Sequence, residues 1–83
     1  MNIDAKSEKE QKLFDFLFEK YGAIVDVKDA SRILKKSRAS LYRDRKEGKG
    51  VKYIQDTENG AIRYPIHEIA RYVCNTEEKE VKL

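Results

Sequence analysis

Ten lysines and arginines lie between positions 28 and 53, against three acidic residues in the same stretch. The local balance is +7, while the whole chain carries +3, so the remainder carries −4. Such a concentration of cations points to a polyanion, and nucleic acid is the usual one. The bland alternative is a solvated charge run. What favours the functional reading is the helical context of residues 26 to 46. Val27, Ala30, Ile33 and Leu34 recur at helical spacing and predict one short helix with an apolar face. Asp26 is its expected cap, and Asp29 favours its positive end. After a tight break, Ser37 is the expected cap of a second helix from about Arg38, anchored inward by Leu41. The rest of that helix offers Arg38, Ala39, Tyr42, Arg43, Arg45 and Lys46. A major groove admits a single α-helix, and guanidinium forks match guanine edges and phosphates. Lys36, Lys49 and Lys52 flank the helix and join the candidate DNA-contacting set.

Other chemistry-bearing residues are sparse. His67 is the one histidine, with no second ligand at helical spacing, and Cys74 is the one cysteine. Zinc wants four ligands, so this pair is not read as a metal site. Tyr42, Tyr53, Tyr64 and Tyr72 are interleaved with basic residues, an arrangement that can stack on bases. The alternative is half-buried core residues whose hydroxyls reach phosphate or water. No nucleophile–base pair, paired carboxylates or phosphate-cradling glycine loop is present, so no enzyme, cofactor or metal is expected. The single cysteine permits no internal disulfide, which suits a reducing compartment. There is neither a membrane-span pattern nor a signal-peptide pattern. A cytoplasmic, nucleoid-associated protein is therefore expected.

The elements that must hold the basic helix follow in order. Eighty-three residues suit one small domain over 7–75, with residues 1–6 and 76–83 expected to be flexible ends. The tail has a fraying helical extension as its alternative. Ser7 and Glu10 read as a capping box, followed by a stripe of Leu13, Phe14, Leu17, Phe18 and Tyr21 and a stop at Gly22. Phe16 falls off the stripe, as a partly exposed packing residue or a contact to a partner subunit. Ala23-Ile24-Val25 is a short β-leaning run able to pair with a later hairpin. Gly48 and Gly50 end the basic helix. Residues 51–55 and 61–64 then read as two strands around a turn whose strongest signal is Asn59-Gly60. Pro65 suits the first turn of a last helix with Ile66, Ile69, Ala70 and Val73 inward. The fold class expected is mainly α with a small β-hairpin, a winged helix-turn-helix.

This order of elements resembles the excisionase-type, MerR-like small winged helix-turn-helix proteins of phages, plasmids and integrative elements. The resemblance covers residues 24 to 73. It rests on Val27, Ala30-Ser31 and Ile33-Leu34, then Ser37-Arg38-Ala39-Ser40-Leu41-Tyr42-Arg43. It continues through Glu47-Gly48-Lys49 and the run Ala61-Ile62-Arg63-Tyr64-Pro65. It implies a second helix in the major groove and a wing on the flanking minor groove or backbone. The contacts it implies fall on Ser37, Arg38, Ala39, Tyr42 and Arg43, with Arg63 in or beside the wing. The chain departs from that pattern at Lys35-Lys36, where the family often has glycine and an aliphatic residue. It departs again at Asp44, where an apolar or aromatic residue is common. Asp44 is read as a surface residue, with a cytosine contact or the orienting of Arg43 as alternatives.

The resemblance implies double-stranded DNA as partner, and a role as recombination directionality factor or as transcriptional regulator of a mobile element. A recombinase, an integrase or RNA polymerase is then a further partner. A protein-interaction adaptor that keeps the fold without binding DNA is the alternative. A monomer in solution, able to assemble side by side on DNA, follows from the lack of a heptad pattern.

Overall fold

The computed structural model describes the backbone of residues 5–80 and the side chains of residues 8–75. The chain is mainly helical, with a small two-stranded antiparallel sheet. Helix α1 spans Ala5–Tyr21, strand β1 Ile24–Asp26, helix α2 Val27–Leu34 and helix α3 Arg38–Lys46. Strand β2 is Arg63–Pro65, and helix α4 is Ile66–Glu80.

Helix α1 packs chiefly on α4, and the short pair α2–α3 is held beside them by the sheet. The core gathers Leu17, Val25, Ala30, Leu41, Val51, Tyr64, Ile66 and Ile69. These come from every element and from the loop after α3, so one core joins all of them. Ile66, Ile69 and Ala70 are fully buried, as the inward face of the last helix requires, and Val73 is half-buried. Gly22 stops α1 with φ +91°, and its N–H donates to the Phe18 carbonyl at 2.8 Å.

Strands β1 and β2 pair with Val25 opposite Tyr64 and Asp26 opposite Arg63. The expected pairing of 24–25 with the returning strand is thus present. Two strands alone are marginal in water, and burying Val25 and Tyr64 against the helices supplies the missing stability.

Several sequence expectations are corrected. The hairpin of 51–55 with 61–64 reduces to one bridge, Ile54 with Arg63, closed by hydrogen bonds of 2.8 and 3.0 Å. Extending that register would set residue 52 against Pro65, which has no N–H, while Val51 is drawn into the core. At the other end the Gln55 amide donates to the Glu58 and Gly60 carbonyls. The tip closes from Gly60 N–H to the Thr57 carbonyl at 2.9 Å, rather than as a two-residue Asn-Gly turn. Pro65 ends β2 instead of opening α4. The Ile66 N–H instead donates to the Ala23 carbonyl at 2.8 Å, satisfying one of the helix's orphan donors. Helix α1 begins before Ser7, so Ser7 is inside the helix and the capping box is not its start. Phe18, expected inward, is 47% exposed and tilts against Phe14 at 5.5 Å. Phe16 is exposed, with the Lys20 ammonium 5.8 Å from its ring centre. The α4 backbone is helical to Glu80, as in the extension reading of the tail. Residues 1–4 and 81–83 lie outside the described residues.

Candidate nucleic-acid interface

Both helices of the basic segment start as their sequence dictates. The Asp26 carboxylate accepts from the Asp29 N–H at 2.9 Å, and the Ser37 hydroxyl accepts from the Ser40 N–H at 3.0 Å. Each satisfies an orphan donor, a contribution of about 1 kcal/mol. Between the helices, Lys35 adopts the left-handed conformation, φ 56° and ψ 42°. Its N–H and that of Lys36 both reach the Ser31 carbonyl, and the Ser31 hydroxyl donates to the Lys36 carbonyl. The turn that a glycine would make easily is therefore made by lysine, at a cost of about 1 kcal/mol.

This turn fixes which way α3 faces. At about 100° per residue, Arg38, Ala39, Tyr42, Arg43 and Lys46 share an arc of roughly 140°. All five are exposed, and the arc carries three cations and no acidic side chain. Ser40, Leu41 and Asp44 occupy the other side and are buried or half-buried, Leu41 at 3%, and Arg45, about 20° beyond Arg38 at the edge of the arc, is half-buried. Arg38 and Arg43 have no acceptor among the described residues. Lys46 lies 5.8 Å from the centre of the Tyr42 ring. Ala39, between these side chains, leaves the helix backbone open to close approach.

The remaining candidates divide. Lys36 is not free: its ammonium donates to Asp44 Oδ2 at 2.6 Å, and it also sits 5.9 Å from the Tyr72 ring centre. The hydrogen bond to Asp44 holds the Lys36 pKa above the ordinary lysine value, against the opposing effect of burial, with Tyr72 adding a smaller upward push. The reading of Asp44 as a surface residue is corrected. Its side chain is 15% exposed and turned inward, which removes its negative charge from the outer face. The Ser37 hydroxyl is used as the cap. Arg45 is drawn sideways, donating to the Tyr64 hydroxyl at 2.7 Å, with its guanidinium 5.9 and 5.8 Å from the Tyr42 and Tyr53 ring centres. Lys49 pairs with Glu47 at 3.1 Å, and Arg63 with Asp56 at 2.8 Å. Both pairs are exposed, and pairs of this kind contribute about 0–1 kcal/mol, so a stronger anion displaces them. Lys52 is exposed, with no partner among the described residues.

Tyr64 is 1% exposed and belongs to the core, Tyr72 is half-buried, and Tyr42 and Tyr53 are 55% and 40% exposed. His67 lies 3.4 Å from Glu68, and the described residues contain no cluster of metal-ligating groups. No described helix is long and apolar enough to cross a membrane. Sequence reasoning missed the Lys36–Asp44 pair and the Tyr53–Arg45–Tyr42 group. The only signals for them are an acid eight residues after a lysine and an aromatic three residues before an arginine.

Compared with known protein families, curated proteins and solved structures, the chain matches none.

Proposed function

We propose that this chain is a winged helix-turn-helix protein that binds double-stranded DNA sequence-specifically, with α3 in the major groove and the loop 51–64 on the flanking groove. The observation that carries this reading is the outer face of α3. Three cations, an exposed tyrosine and a small alanine lie on one arc, and the one acidic residue of the helix is turned away and neutralised. Arg38 and Lys46 neutralise phosphates, Arg43 forks onto a base edge, and Arg63 meets the backbone or a narrow minor groove. By its resemblance, the biological role is control of a recombinase's direction or regulation of a mobile element's promoter, in the cytoplasm. A neighbouring integrase gene distinguishes the first role from the second.

The test is a binding titration of duplex DNA at several salt concentrations. About five phosphate contacts give a log–log slope of roughly −4 to −5. A flat salt response overturns the reading and favours a protein-interaction adaptor.

A further inference from the structure

The loop that leaves α3 carries a second cationic feature, set apart from the outer face. A cleft of about 350 Å³ lies between the end of the helix and residues 48–53. Arg45, Lys49, Lys52 and Tyr53 line it, together with Gly48, Gly50 and Val51. No acidic side chain lines it. Val51 is buried, which pins the loop to the core.

Asp44 sets the shape of this cleft from behind. Its carbonyl accepts from the Lys49 N–H at 2.9 Å. Its side chain lies so close to Gly50 that a Cβ there would stand 2.9 Å from Asp44 Cβ, and Gly50 itself has φ +88°. No other residue fits that position without strain. The Asp44 carboxylate is in turn held by Lys36 across the turn between α2 and α3. The Asp44 side chain thus packs against Gly50 while Lys36 neutralises its charge, and its backbone carbonyl holds the Lys49 N–H.

We propose that this cleft binds one phosphate oxyanion of the DNA backbone beside the groove that α3 enters, with Asp44 as its positioning residue. The proposal rests on the DNA-binding reading above. The cations suit the chemistry. A phosphodiester has two non-bridging oxygens that accept hydrogen bonds. Arg45 gives one N–H to Tyr64, and guanidinium carries four more donors. Lys52 has no competing partner among the described residues, and Lys49 has only the exposed Glu47 to leave.

The experiment follows backbone amide shifts of the full chain by NMR in two titrations, one with a short duplex and one with inorganic phosphate against chloride at matched ionic strength. Lys52→Ala and Asp44→Ala are compared with the wild type in salt-dependent duplex binding. The proposal expects the duplex to shift residues 48–53 together with the outer face of α3. Lys52→Ala lowers the salt slope by about one unit and leaves the ratio of selected to scrambled duplex unchanged. Asp44→Ala keeps the carbonyl and the Cβ but loses the carboxylate that packs against Gly50 and Lys36, so it weakens binding and lowers the slope, although it removes a negative charge. A carboxylate acting by charge alone would strengthen binding when removed, and a loss of folded protein would leave the slope unchanged; either result overturns the positioning role. Shifts on α3 with none at 48–53 overturn the cleft and leave the DNA reading standing. Shifts at 48–53 with inorganic phosphate but not with duplex overturn the backbone assignment. No shifts with duplex anywhere overturn both.

Discussion

Removing Asp44 tests whether the join between α2 and α3 is held by the ion pair that crosses it. The Lys36 ammonium and Asp44 Oδ2 are 2.6 Å apart, with side chains 31% and 15% exposed. Exposed pairs contribute about 0–1 kcal/mol, while stripping one partner from a fully buried pair costs about 3–5 kcal/mol. Partial burial sets Asp44→Ala between these limits, at about 1–2 kcal/mol. For a domain of this size that is a fall in Tm of roughly 6–12 °C. The assay is thermal unfolding of Asp44→Ala, Lys36→Ala and the double variant, read as a double-mutant cycle. The double variant should cost less than the two singles together by about 1 kcal/mol, because either change alone breaks the same interaction. pH supplies a second arm. The folded state raises the Lys36 pKa, chiefly through the bond to Asp44. The pair's contribution is therefore complete below the ordinary lysine value and is lost as pH rises through the raised one. The gap between wild type and Lys36→Ala should hold at neutral pH and close only under strongly alkaline conditions. Strict additivity of the two single variants refutes the coupling.

Lys35→Gly should raise stability by about 0.5 kcal/mol in denaturant unfolding, because relief of the left-handed strain exceeds the entropy that glycine adds to the unfolded chain. A loss of stability would contradict it. Tyr64→Phe should cost about 1 kcal/mol in the same assay, since it deletes the hydroxyl that accepts from Arg45. An unchanged midpoint would show that this bond does not matter. Arg63→Ala should weaken binding to all duplexes evenly and lower the salt slope by about one unit, whereas unchanged binding would take Arg63 out of the interface.

The parts of the fold legible in the sequence are those written locally. Asp26 and Ser37 lie three residues before the N–H groups they cap, and Leu41 is the one large apolar side chain in a basic helix. The outer face of α3 follows from the same 3.6-residue period. What the sequence did not disclose depends on partners distant along the chain. Residues 51–55 have strand-forming side chains, yet β1 takes one edge of Arg63–Pro65, Val51 is drawn inward, and a single bridge remains. Asp44 looks like an exposed charge until the turn at Lys35 brings Lys36 beneath it. Arg45 looks equivalent to Arg43, but two helical positions rotate it toward Tyr64 and out of the outer face.

That rotation makes Arg43 the sharpest point in the account. Arg43 is exposed on the face of α3 that carries Arg38 and Tyr42, and no described residue competes for its guanidinium. The decisive measurement is the affinity of wild type and Arg43→Ala for a duplex selected from a random pool and for its scrambled counterpart, at several salt concentrations. Loss of a bidentate base contact should cost about 1–3 kcal/mol on the selected duplex and relax preference at one base position, with much smaller loss on the scrambled one. An unchanged ratio of selected to scrambled affinity would mean that α3 does not read the sequence, and would contradict the central claim.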